Sequence, residues 1–418
     1  MTDERIEATY LIETGVDVQR AAETMAGEQS SGTFVPVPGE TPELKARSGA
    51  RVEALEILGE VAEPSLPGAR RVPGRPITQA RVRLSWPIAN FGPSLPNLFT
   101  TVAGNLFELG EFSGLKVLDV SFSPSLRDRY PGPAFGIAGT RALAGVMGRP
   151  IIGTIVKPSV GFSAQQVADL VTQLGTAGLD FVKDDELQVD GPICPFADRV
   201  ARVTEAVDRL AQKTGRKLMY AFNLTGEVDE MLRRHDLVAK VGGTCVMVVL
   251  NSAGLPGVTA LRRHSSLPIH AHRAGWGSLS RHPALGWSYV AWSKFWRLAG
   301  VDHLHVNGLR NKFCEPDASV IEAAQSLLTP LAPERSDVVM PVFSSGQTVG
   351  QVADTHAMLG GTDLMYLTGG GIMGHPDGPA AGVDAMRAAW EATMSGQSLA
   401  YRAKEHPALA RALAALAR

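Results

Sequence analysis

From residue 150 onward the chain repeats one pattern eight times: a short apolar run, then a segment of helical period. The runs are "IIGTIVK", "DFVKD", "KLMYAFN", "CVMVVLN", "PIHAHR", "HLHVNG", "VVMPVFSSG" and "LMYLTGGG". Helical segments such as "SAQQVADLVTQLGTAG", "FADRVARVTEAVDRLAQKTG" and "ASVIEAAQSLLTP" separate them, and "PAAGVDAMRAAWEATM" follows the last. A doubly wound open sheet alternates in the same way but with fewer units as a rule, so eight units predict a (β/α)8 TIM barrel.

Residues 1–130 read differently. "IEATYLIE", "VEALEILGEV", "QARVRLSWP" and "GLKVLDVSFS" have strand character, with helices at "DVQRAAETMAGE" and "LPNLFTTVAGNLFELGEF" and no regular strand–helix repeat. That predicts an α+β, ferredoxin-like domain at 1–130, joined through the Pro- and Gly-rich "SPSLRDRYPGPAFG" to a barrel at 131–418. A chain of 418 residues is too long for one ordinary core, which agrees with two domains. Its net charge of −2 gives no basic face for nucleic acid or membrane. Cys194, Cys245 and Cys314 are scattered, without metal or disulfide spacing, which fits a reducing compartment. No signal core and no spanning run is present, and the expected location is the cytoplasm.

Barrel active sites lie at the carboxyl ends of the strands. The polar residues gather there: Lys157; Lys183, Asp184, Asp185 and Glu186; His270, His272 and Arg273; His303 and His305; Ser344, Ser345 and Gly346; Gly369, Gly370 and Gly371. Any one of these is ordinary for a strand end, and "KDDE" alone suits a helix entry. So many adjacent strand ends converging on one mouth are hard to obtain from structural needs alone. Hard carboxylate oxygens favour Mg2+. Alternation along "DFVKDDE" puts Phe181, Lys183 and Asp185 on one face and Val182 and Asp184 on the other, and Glu186, at the strand's exit, can turn inward, so Asp185 and Glu186 are the better metal ligands. The glycines of "SSGQT" and "TGGGIMGHPDG" open helices where backbone N–H groups cradle phosphate, though they also serve tight turns. His272, Arg273 and His305 suit acid–base work and a second anionic group, and a histidine zinc site is the lesser alternative.

Taken together, these residues resemble the large subunit of ribulose-1,5-bisphosphate carboxylase/oxygenase (RuBisCO) over nearly the whole chain. "GLDFVKDDE" is similar to that family's metal motif, implying a CO2-derived carbamate on Lys183 that binds Mg2+ with Asp185 and Glu186. A cationic Lys183 would repel the ion, whereas a carbamate supplies an anionic oxygen. "IVKP" then implies a catalytic Lys157, "HAHRAG" the pair His272 and Arg273, and "DHLHVNGLRNKF" His305 and a loop Lys312. "FSSG" and "TGGG" imply phosphate loops at Ser344, Gly346, Gly369 and Gly370. "GEQSSGTF" and "AGN" imply Glu28, Thr33 and Asn105 reaching a neighbouring subunit's site, hence a homodimer or a multiple of one, with no small subunit required.

The departures are informative. Ser159 stands where carboxylating members carry a second Lys, Phe34 where they have Trp, and Ser345 where they have Gly; "VNGLRN" also differs from their loop. The chain therefore resembles the RuBisCO-like proteins, which retain enolising machinery without CO2 fixation on ribulose bisphosphate. Retention of Lys312 favours the sugar-acid branch, acting on 3-oxo-isoapionate 4-phosphate by decarboxylation or by transcarboxylation and hydrolysis. The alternatives are a methionine-salvage enolase or isomerase acting on a methylthio-sugar phosphate, and a non-catalytic stress or regulatory protein.

Overall fold

A period of two governs the first sheet. In β1 (Arg5–Thr14) the side chains of Ile6, Ala8, Tyr10 and Ile12 are buried and alternate with partly exposed neighbours, so one face meets a covering layer. The computed structural model describes residues 4–32 and 37–416. With β2 (Arg51–Val61), β3 (Ile77–Pro87) and β4 (Phe112–Ser121), β1 builds an antiparallel sheet in the order β4-β1-β3-β2. Helix Val18–Glu28 follows β1 and helix Leu95–Ala103 follows β3, giving the expected ferredoxin-like arrangement. The first helix starts where Asp17 accepts from Arg20 N–H, and it buries Ala21, Ala22, Met25 and Ala26.

Three local differences from the sequence reading have simple causes. The long helix expected from Leu95 stops at Ala103 and resumes as a 3-10 turn at Asn105–Glu108. Gly104 between them has φ −18° and ψ −116°, outside the helical region. A short helix Pro42–Ser48, capped by Thr41, precedes β2, and another, Pro124–Arg129, lies inside the Pro-rich connection.

The eight apolar runs form a closed parallel barrel. Its first five strands are β5 (Ile151–Ile155), β6 (Phe181–Lys183), β7 (Met219–Asn223), β8 (Cys245–Val249) and β9 (Ile269–His272). Their intervening helices include Ala164–Thr176, Phe196–Thr214 and Val228–Lys240. The chain then adds β10 (Leu285–Trp287), parallel to β4 at the edge of the first sheet. It returns for β11 (His303–His305), β12 (Met340–Phe343) and β13 (Met365–Leu367). β13 pairs with β5 and β9 with β11, so no edge is left. Ile151, Phe181, Met219, Met247, Met340 and Leu367 are among the side chains that fill the interior.

Two compact units result: Met1–Pro131 with Gly275–Ala299, and Gly132–Ala274 with Gly300–Arg418. The first therefore takes in a segment from the middle of the barrel sequence.

Candidate active site

Most of the barrel residues singled out above lie at or just beyond a strand's carboxyl end; His303 and His270 do not, since His303 opens β11 and His270 is the second residue of β9, so both lie below the mouth. Lys157, two residues past β5, donates to Asp185 Oδ2 at 2.6 Å and to Ser159 Oγ at 2.8 Å. Lys183 ends β6 fully buried; its Nζ donates to the Asp184 carbonyl at 2.9 Å and lies 3.4 Å from Glu186 Oε2. Burial pulls the Lys183 pKa below the ordinary lysine value, against the opposing charges of Glu186, Asp185 and Asp184. For Glu186, burial acts upward, but Lys183, its own backbone N–H and Lys157 outweigh it and hold the carboxyl below the usual range.

Asp184 turns the other way. Its carboxylate accepts from the Tyr220 hydroxyl at 2.5 Å, Asn223 N–H at 2.9 Å and Arg199 Nε at 3.2 Å, all within the barrel wall. Asn223, at the end of β7, also donates through Nδ2 to the Glu186 carbonyl at 3.2 Å. Arg199, Tyr220 and Asn223 thus hold the backbone that presents Asp185 and Glu186. The positional argument from strand ends reaches Asn223, whereas nothing local marks Arg199.

His272 continues the cluster. Its Nδ1 accepts from Ala274 N–H at 3.2 Å, which leaves the proton on Nε2, 3.5 Å from Glu186 Oε2. Its ring meets His305 edge-on, with centroids 4.6 Å apart. Burial, and then the charge of Lys183, keep His272 well below the ordinary histidine pKa, and burial does the same for His305. His305 Nδ1 lies 2.9 Å from Ser344 Oγ.

Arg273 is already paired: its guanidinium donates to Glu315 Oε2 at 2.6 Å, which also accepts from Asn307 Nδ2 at 2.6 Å. Asn307 Oδ1 in turn accepts from Ser345 Oγ at 2.7 Å. Lys312 N–H donates to the Ser345 carbonyl at 3.2 Å, and a Cβ on Gly346 would lie 3.4 Å from Lys312 Cβ. The loop after β11 therefore packs on the turn after β12. The Lys312 ammonium itself lies 5.3 Å from the Phe313 ring centroid, over its face. Gly369 and Gly370 open the short helix Gly369–Met373, and a Cβ on Gly369 would lie 3.8 Å from Lys157 Cε.

The N-terminal candidates fall in the other unit. Glu28 ends helix Val18–Glu28 and Asn105 opens its 3-10 turn, both exposed. Those segments meet, since a Cβ on Gly104 would lie 2.8 Å from Gln29 Nε2. Thr33 and Phe34 lie outside the described residues.

The donor set decides which ion suits the mouth. Asp185 and Glu186 supply two hard oxygens, and neutral His272 holds its proton on the nitrogen facing them. A third anionic oxygen arises if the Lys183 amine takes up CO2, and burial favours the neutral amine that this needs. The residues fit a hard divalent cation held with a carbamate. Elsewhere, ligand atoms of His235, Asp236 and His264 lie within 4.8 Å of one another. There, Ser266 N–H donates to His235 Nε2 at 3.3 Å, which leaves the His235 proton on Nδ1, the nitrogen that faces Asp236.

A closed parallel barrel with lysines, carboxylates and histidines gathered at one mouth defines a (β/α)8-barrel enzyme site. The comparisons give the family. The ribulose bisphosphate carboxylase large chain catalytic-domain model matches residues 136–416, and the N-terminal-domain model residues 2–126. The chain belongs to that family and is an enzyme. It is 58% identical over 410 residues to a 3-oxo-isoapionate-4-phosphate transcarboxylase/hydrolase of Xanthobacter autotrophicus, covering 98% of this chain and 99% of the relative. It is 44% identical over 411 residues to a 3-oxo-isoapionate-4-phosphate decarboxylase of Rhizobium rhizogenes, covering 98% of each. A crystal structure of a rubisco-like protein from Burkholderia fungorum matches with a TM-score of 0.92 at 47% identity, covering 99% of this chain and 100% of that one.

Proposed function

We propose that this enzyme acts on 3-oxo-isoapionate 4-phosphate, transferring its carboxyl group and hydrolysing the product, with simple decarboxylation as the closely related outcome. The observation that carries this reading is the 58% identity, over nearly the full length of both chains, to the transcarboxylase/hydrolase. The decarboxylase is less similar at 44%, which orders the two outcomes.

In a 3-oxo acid the bond to the carboxyl carbon breaks with its electron pair moving toward the neighbouring carbonyl, so negative charge grows on that oxygen. Lys183 as its carbamate, Asp185 and Glu186 would hold a Mg2+, which would supply Lewis-acid polarisation of the carbonyl. The protein's own groups do the rest. The Lys157 ammonium, steadied by Ser159 Oγ, donates to the oxygen on which charge develops. His272, with its proton on Nε2, acts as a second donor. Lys183, as its carbamate, would be the base for any proton that the hydrolytic step removes. Ser344, Gly346, Gly369 and Gly370 hold the phosphate, with His305 and Arg273 beside them, and Lys312 covers the ligand from the loop after β11. Glu28, Thr33 and Asn105 complete a partner subunit's site, so the active unit is a homodimer or a multiple of one. Among the described residues no helix is long and apolar enough to cross a membrane; we place the enzyme in the cytoplasm.

The test is turnover of 3-oxo-isoapionate 4-phosphate with Mg2+ and bicarbonate, following both CO2 release and cleavage products. Lys183→Ala should lower kcat by about a thousandfold or more, as loss of a main electrostatic catalyst does, and a chelator should abolish activity. Absence of both CO2 release and cleavage would sink the reading. Proton exchange on a methylthio-sugar phosphate would move the protein to the isomerase alternative.

A further inference from the structure

Two imidazoles that the proposed chemistry does not use lie beneath the mouth. His270 and His303 are completely buried and sit side by side on β9 and β11. They belong to a continuous line of hydrogen-bonding groups. His303 Nε2 is 2.8 Å from Thr140 Oγ1, and His303 Nδ1 is 3.3 Å from His270 Nδ1. His270 Nε2 is 2.8 Å from His305 Nε2, and His305 Nδ1 is 2.9 Å from Ser344 Oγ.

The inner end of this line has a defined sense. The Thr140 hydroxyl donates to the Gly136 carbonyl, which can only accept, so Thr140 Oγ1 must accept from His303 Nε2–H. A neutral imidazole carries one N–H and one acceptor nitrogen. His303 Nδ1 therefore accepts from His270 Nδ1–H. His270 Nε2 is then the acceptor for His305 Nε2–H, and His305 Nδ1 accepts from the Ser344 hydroxyl. At the outer end Ser345 gives its proton to Asn307 Oδ1, which leaves its oxygen, 3.4 Å from Ser344 Oγ, as a competing acceptor for the Ser344 proton; His305 Nδ1, at 2.9 Å, is the closer one. Burial keeps the three rings neutral, holding His270 and His305 well below the ordinary histidine pKa and His303 at about 3.

We propose that His303 and His270, anchored on Thr140, are positioning residues that set the tautomer of His305 and, through it, the direction of the Ser344 hydroxyl. The tautomer order stands on hydrogen bonding alone; its effect on turnover rests on the reading of His305 and Ser344 as ligand-contacting groups. Thr140, remote from the ligand, thereby decides whether the His305 nitrogen that faces Ser344 carries a proton.

The experiment is nuclear magnetic resonance of isotope-labelled histidine rings in the full-length protein, assigned by single substitutions. His303 and His305 are expected to carry their protons on Nε2 and His270 on Nδ1. Thr140→Val keeps the shape and removes the accepting oxygen, so the line should reverse and His305 move toward the Nδ1–H form. kcat/KM should fall about tenfold, as for loss of one buried hydrogen bond, and Thr140→Ser should restore both readouts. A His305 ring that carries its proton on Nδ1 in the wild type, or that is unmoved in Thr140→Val, overturns the proposal. Should Thr140→Val fail to fold, the wild-type ring pattern alone decides. The predicted ring pattern in an enzyme that leaves 3-oxo-isoapionate 4-phosphate untouched supports the positioning line and removes the proposed function instead.

Discussion

Asp180 shows how a single side chain ties the closed barrel together at the end away from the mouth. It is buried at the start of β6, and its carboxylate accepts from Arg149 at 2.5 and 2.8 Å, Arg216 at 2.6 Å and Ile152 N–H at 3.0 Å. Burial pushes its pKa up, but Arg149, Ile152 N–H and Arg387 outweigh that and hold it below the ordinary value of 3.8. A depressed folded-state pKa means that the stabilisation is complete above the unfolded value and is lost as pH falls through the folded one. Asp180→Asn should therefore cost about 2–4 kcal/mol at neutral pH, typical of breaking a buried pair. The gap between variant and wild type in urea should close as pH drops below about 4. Much at this scale is legible in the sequence: strand alternation alone assigns Asp184 and Asp185 to opposite faces. Ser345 stands out there as a departure from glycine, but the reason for it does not. Its φ of +70° is in the left-handed region that glycine tolerates, and the bond to Asn307 helps to hold a serine there. That partner is 38 residues away along the chain, so no local pattern reports it.

Among elements, helix Phe196–Thr214 does more than cover the barrel. Arg199, fully buried, reaches Asp184 through Nε and also donates to the carbonyls of Cys194 at 3.1 Å and Val189 at 2.6 Å. The flat guanidinium serves three acceptors from three separate nitrogens, a spread that the single nitrogen of a lysine cannot match. Arg199→Lys is expected to cost about 3 kcal/mol or more by leaving a buried carboxylate poorly paired. Combining it with Asp184→Asn should cost less than the sum, as a double-mutant cycle read by urea denaturation would show. The barrel strands are legible because each is an apolar run ending in polar residues. β10, three residues long, is not, since so short a run carries no period and its place depends on β4. The break at Gly104 is hidden too, because the apolar spacing continues across it. The sequence groups His270 and His303 with the strand ends, whereas both lie lower in the barrel, and their common line depends on β9 and β11 lying side by side.

At the scale of the whole molecule, the segment Gly275–Ala299 leaves the barrel sequence and completes the other unit. Trp287 stacks on Phe99 with centroids 4.7 Å apart, and Phe295 meets Phe99 and Phe122 at 5.3 and 5.5 Å. A fragment ending at residue 131 lacks all of this, leaving the β4 edge open and aromatic surface bare. It should aggregate or unfold, and supplying 275–299 through a short linker should restore a cooperative urea transition; a well-folded 1–131 fragment would contradict this. The same excursion sets a timetable for the ribosome. The amino-terminal unit, although translated first, cannot finish until residue 299 has emerged, by which time five barrel strands are already outside the exit tunnel. Folding from the amino end one unit at a time is closed to this chain, and the nascent protein must keep an unfinished sheet soluble while most of a second core is being made.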